Sequence, residues 1–102
     1  MIDIKKSILK FNYSSPEIEN IRRNLAMLYS TKEGSVPLDR DFGLNCDFVS
    51  KPLPVAKSEF EFEVIRKTEI YEPEVQVEKV EYIYDEVNGM MQPVIYLKGV
   101  GT

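Results

Sequence analysis

The side chains that carry most enzyme chemistry are thin in this sequence: there is no histidine and a single cysteine. Without imidazole, neither a serine–histidine–aspartate nor a cysteine–histidine arrangement can be assembled, and a zinc site would lack its commonest nitrogen ligand. Cys46 stands between Asn45 and Asp47 with no basic neighbour in sequence to favour a thiolate, so it reads as a half-buried thiol. Gly99 and Gly101 match no phosphate-binding loop. Carboxylates are plentiful, and glycoside hydrolysis needs two of them facing one cleft. Glu59, Glu61 and Glu63 are spaced by two, so on a helix they point in different directions, and on a strand they line one exposed face. Glu17 and Glu19 have the same spacing. The expectation is no catalytic residue, no metal and no cofactor.

Stepping out to the chain that would position such groups, 102 residues with 43% apolar content suffice for one domain and are too few for two. Residues 1–102 are therefore read as a single unit, with 1–15 as an N-terminal arm or strand. One cysteine allows no intrachain disulfide and suits a reducing compartment. Met1 to Lys6 lacks a secretory apolar region, and the longest apolar run, Leu25 to Tyr29, is far too short to cross a membrane. A soluble, intracellularly made domain is expected. Charge is uneven: residues 1–34 carry six basic and four acidic side chains, whereas residues 58–86 carry three basic and ten acidic ones. Nucleic acid demands the opposite sign of the second block. That block reads either as a solvated face or as one that docks on a basic protein partner.

Ser15 before Pro16 gives a cap and a first-turn proline, with Ser14 and Glu17 as an alternative capping box. Ile18, Ile21, Leu25 and Leu28 then recur at helical spacing, which predicts a helix over about 16–30 that Gly34 stops. Residues 31–54 read as a long loop punctuated by Gly34, Pro37, Gly43, Pro52 and Pro54. Over 55–71, Phe60, Phe62 and Val64 alternate like a strand, while Phe60, Val64, Thr68 and Tyr71 form a helical stripe. The intervening Glu, Lys and Arg residues and the stop at Pro73 favour a helix. Val75 and Val77 alternate, then Val80, Tyr82 and Tyr84 do so on the other parity, so a bulge is expected at Glu78–Lys79. Asn88–Gly89 is a hairpin turn signal, and Val94 and Tyr96 mark the returning strand, with Pro93 near its start. The expected fold is α+β: two helices packed on a small, mainly antiparallel sheet with a C-terminal hairpin.

The run from Leu28 to Leu44, with Thr31, Gly34, Pro37 and Asp41-Phe42-Gly43 at their spacing, resembles the gene-25-like baseplate wedge family of contractile-tailed phages and related injection systems. The likeness continues through Lys51-Pro52-Leu53-Pro54 to Tyr71-Glu72-Pro73-Glu74-Val75 and covers about residues 16–98. It implies a virion structural protein of a phage tail or tailocin baseplate, assembled in the host cytoplasm, which joins larger wedge subunits and starts sheath assembly. Partner-binding residues implied in this way are Glu72, Pro73 and Glu74. The chain departs from the family at Glu74, where an arginine is usual, and a carboxylate cannot make the forked contacts of a guanidinium.

From the residues themselves, Pro37-Leu38 and Phe42-Gly43 read as anchors pinning the loop to the core. Asp39, Arg40 and Asp41 read either as a local charge network or as a contact surface. Expected partners are wedge subunits and sheath protein, without nucleic acid, membrane or small-molecule substrate. Two other functions are set against this: a lysozyme-like muramidase, a label some family members carry, and an anti-adaptor regulator of the same fold.

Overall fold

The computed structural model describes residues 2–100; Met1, Gly101 and Thr102 lie outside them, and with Gly101 half of the C-terminal glycine pair. The elements run β1 (Ile8–Phe11), α1 (Ile18–Ser30), α2 (Leu53–Tyr71), β2 (Val75–Asp85) and β3 (Met90–Gly99), with 3₁₀ turns at Ile4–Lys6 and Asp47–Ser50. This is the expected α+β arrangement of two helices and a C-terminal hairpin among the described residues.

α1 starts two residues later than its proline suggests. Pro16 instead begins a turn in which Ser15 accepts Glu17 N–H through Oγ (3.3 Å) and Ile18 N–H through its carbonyl (3.1 Å). No side chain caps the helix, so the Ser14–Glu17 box does not form. Ile21, Leu25, Leu28 and Tyr29 fill its buried face. The helix ends at Ser30, where Thr31 turns extended and donates its hydroxyl to the Met27 carbonyl. Gly34, expected as the stop, sits beyond in a turn of its own at φ +89°.

α2 enters through Pro52 and carries Pro54 in its first turn, where no backbone N–H is needed. Ala56, Phe60, Val64 and Thr68 face the core. Phe62 is 63% exposed, so the strand-like alternation of Phe60, Phe62 and Val64 came from one apolar residue on the outside of a helix.

The sheet is mixed, in the order β1-β3-β2, because the N-terminal arm adds a parallel strand (Ile8 opposite Val94 through Phe11 opposite Leu97) to the antiparallel hairpin. The hairpin register slips between Val77 and Lys79, leaving Glu78 as the extra residue. Val75 and Val77 before the slip, and Val80 and Tyr82 after it, all pack against the core. On β3 the core side belongs to Ile95 and Leu97, so the Val94–Tyr96 alternation marks the outer face. Pro93 lies inside a central strand, a place that normally forbids it. Asp3 N–H bonds the Met91 carbonyl and Asn12 N–H the Leu97 carbonyl, so odd-numbered β3 residues turn their backbone toward the N-terminal arm. Pro93 therefore aims its missing donor at the gap where residues 4–6 leave the sheet as a 3₁₀ turn before β1 begins.

Loop 31–54 is more ordered than its punctuation implies. Lys32 and Leu44 form an isolated parallel bridge, and both Leu44 and Phe48 are fully buried core residues.

Candidate interaction site

The segment 33–42 is built onto the C-terminal half of α2 by backbone and side-chain bonds. Within it, Gly34 N–H donates to the Arg40 carbonyl (2.9 Å) and Phe42 N–H to the Asp39 carbonyl (3.2 Å). Gly43 closes the loop at φ +105°, and a Cβ there would lie 2.5 Å from the Thr31 carbonyl oxygen, so only glycine fits. From α2, Lys67 is 1% exposed and donates to Glu33 Oε2 (2.6 Å) and to the Asp41 carbonyl. Arg66 adds a chelate on Glu63 Oε1 (Nε 3.1 Å, Nη2 2.8 Å). Tyr71 donates its phenol to Asp39 Oδ1 (2.9 Å) and meets the Phe42 ring edge-on at 5.2 Å. Partial desolvation, then Asp39 as hydrogen-bond acceptor and charge, push the Tyr71 phenol up to about 12.

These bonds correct two expectations. Asp39, Arg40 and Asp41 form no ion pair among the described residues; the loop is held by Lys67 and Tyr71 instead. Pro37 and Leu38 are not anchors either, since Leu38 is 99% exposed at the loop tip. Phe42 does pack against the core, though it is only half-buried.

The second group, Glu72-Pro73-Glu74, links α2 to β2. Pro73 and Glu74 are exposed, and Glu72 is half-buried with its carboxylate accepting from Asn24 Nδ2 on α1 (3.4 Å). Burial and the nearby Glu74 and Glu72 charges raise the Tyr13 phenol above its usual value. The last turn of α2 joins both groups: Tyr71 touches Asp39, and the next residue opens the corner. The C-terminal end of α2 thus lies between the loop that carries exposed Leu38 and Arg40 and the corner that carries Glu72 and Glu74.

The carboxylates arrange themselves differently from expectation. Glu61 points to β2, where it accepts the Tyr82 phenol (2.9 Å). Glu59 and Glu63, however, are one helical turn apart and line one cavity of about 280 Å³ with Asp47, Lys51, Phe48 and Phe62. The spacing of four between them was the signal that a reading by twos passes over. Glu59 is paired with Lys51 (2.6 Å), and Glu63 accepts Arg66 and the Asn45 N–H (3.0 Å). Both carboxylates thus accept from cations or backbone donors of the same chain. Cys46 is half-buried, and burial pushes its thiol up despite the charge of Lys32. Among the described residues no helix is long and apolar enough to cross a membrane.

Sequence reasoning missed the buried polar groups. Thr68 spends its one hydroxyl hydrogen on the Val64 carbonyl (2.6 Å), so buried Tyr29 is the donor in the 2.6 Å contact between them. Lys67 likewise reads from sequence as an ordinary solvated lysine of a helix. No model of a known protein family matches the chain, and neither does any curated protein.

Proposed function

We propose that the protein is a structural baseplate subunit of a contractile tail or related injection particle, joining larger wedge subunits and offering a strand to the first sheath ring. The observation that carries this reading, beside the motif resemblance, is the open edge of β2. It is an eleven-residue hairpin arm with β3 on one side only, and the backbone groups of its open side are a template for strand addition. Glu78 at the bulge, with Lys79 and Glu81 after it, disrupts and charges part of this edge and so restrains indiscriminate pairing. The Glu72-Pro73-Glu74 corner stands at the start of the same strand, beside the clamped loop that carries Leu38 and Arg40.

Two neighbouring carboxylates, Glu74 exposed and Glu72 half-buried, call for a basic counterpart on the wedge subunits. Glu72→Ala removes only a long hydrogen bond to Asn24, so folding should survive while capture of the wedge complex falls sharply. Pull-down of the wedge complex with wild-type and Glu72→Ala protein measures this. Full capture by a folded Glu72→Ala variant would take the corner out of the interface.

A further inference from the structure

We infer that the protein self-associates through α2, as a twofold antiparallel helix pair with Phe62 at its centre. This goes beyond the assembly reading above and stands independently of it. α2 is apolar on both sides: behind its core face, Val55, Phe62, Ile65 and Ile70 are all exposed on the outward face. These four exposed apolar side chains, set among Ser58, Glu59, Arg66 and Glu69, make a mixed surface of the kind that packs on another chain.

The charges on that face identify a second copy as the occupant. At about 100° per residue, Glu59 and Arg66 lie on the same flank of Phe62, one turn before and one turn after it. Ser58 and Ile65 occupy the opposite flank in the same way. In an antiparallel pair related by a twofold axis beside Phe62, groups on one flank but at opposite ends meet each other. Glu59 then faces Arg66 of the second copy, and the symmetry makes this contact twice. Val55 falls against the Glu69–Ile70 end, and the two Phe62 rings meet at the axis. A parallel pair would set Glu59 against Ser58 and Arg66 against Ile65, so that neither charge, beyond its partner in its own chain, meets an opposite charge across the pair.

The local structure supports this pairing. The cavity beside Phe62 is lined by the carboxylates of Asp47, Glu59 and Glu63, of which Glu59 is paired with Lys51 and Glu63 with Arg66 of its own chain, and it lies on the flank where the second copy's Arg66 arrives. Arg66 is already oriented by Glu63 through Nε and Nη2, and those two bonds do not use Nη1. Phe62 itself is exposed, so replacing it leaves the core intact.

Analytical ultracentrifugation of the full chain over a wide concentration range tests the pairing. Wild type should sediment as a concentration-dependent dimer. Phe62→Glu should weaken the dimer about 30-fold or more, the scale of a central hot-spot residue, with an unchanged thermal melt. Orientation is read by oxidation in a Cys46→Ser background. A mixture of Val55→Cys and Glu69→Cys chains should cross-link as the heterodimer, while neither variant alone cross-links to itself. A wild-type monomer at every concentration, a dimer indifferent to Phe62→Glu, or self-cross-linking of Val55→Cys would each overturn the proposal.

Discussion

At the scale of single residues, the buried cation Lys67 governs the loop that carries Leu38 and Arg40. Its stem passes through the core, and its ammonium is satisfied by Glu33 and the Asp41 carbonyl. Breaking a buried pair on one side strands the other charge, whereas replacing a buried ion by an apolar group of similar volume costs far less. Glu33→Ala should therefore cost about 3 kcal/mol in denaturant unfolding, and Lys67→Met clearly less. Equal losses would mean that the ammonium is reached by water. Tyr71 gives a pH signature for the same loop. Its folded phenol titrates near 12 against an ordinary 10.0, so the neutral form is the one favoured by folding. The stability it contributes is fully present below pH 10 and is lost as the pH climbs toward 12. Asp39→Asn removes the carboxylate charge and should bring the ultraviolet titration midpoint of Tyr71 down toward 10. None of this was legible in the sequence, because the burial of Lys67 and the phenol's neighbour depend on contacts between positions more than twenty-five apart.

At the scale of elements, periodicity located both helices and the hairpin, including the parity change at Glu78, because each of those signals is local. Its misreadings share one cause, which is that an apolar residue does not declare which surface it faces. Phe62 imitated a strand from the outside of α2, Leu38 imitated an anchor from the tip of a loop, and Leu44 and Phe48 hid core positions in a segment dense with turn residues. The N-terminal segment was read as an arm or strand, but the parallel pairing of β1 was unreadable for another reason, since its partner lies 86 residues away and no turn marks the pairing. Glycines separate local freedom from tertiary fit. Gly89 at φ +67° has open space around it, so Gly89→Ala should cost about 1 kcal/mol, the strain of a left-handed residue. Gly43 meets the Thr31 and Lys32 backbone as well, so Gly43→Ala should cost at least twice as much. Thermal melts of the two variants check this, and similar losses would mean that the Thr31–Leu44 crossing yields easily.

At the scale of the whole molecule, the fold has a closed side and an open side. One sheet face is buried under the helices, while the β2 edge, the Glu72-Pro73-Glu74 corner, the Leu38 loop tip and the outer face of α2 are all available to other chains. Most of the candidate contact residues were visible in sequence as motif pieces, but their convergence on one end of α2 was not, since Tyr71 alone ties the loop to the corner. These open surfaces are the features on which the proposed role in joining subunits rests. Electron microscopy of particles assembled without this protein tests that role most directly. Tubes or partial baseplates that lack an extended sheath are expected, with full-length sheathed tails restored when the wild-type protein is supplied. Complete, contractile, sheathed tails in its absence would contradict it.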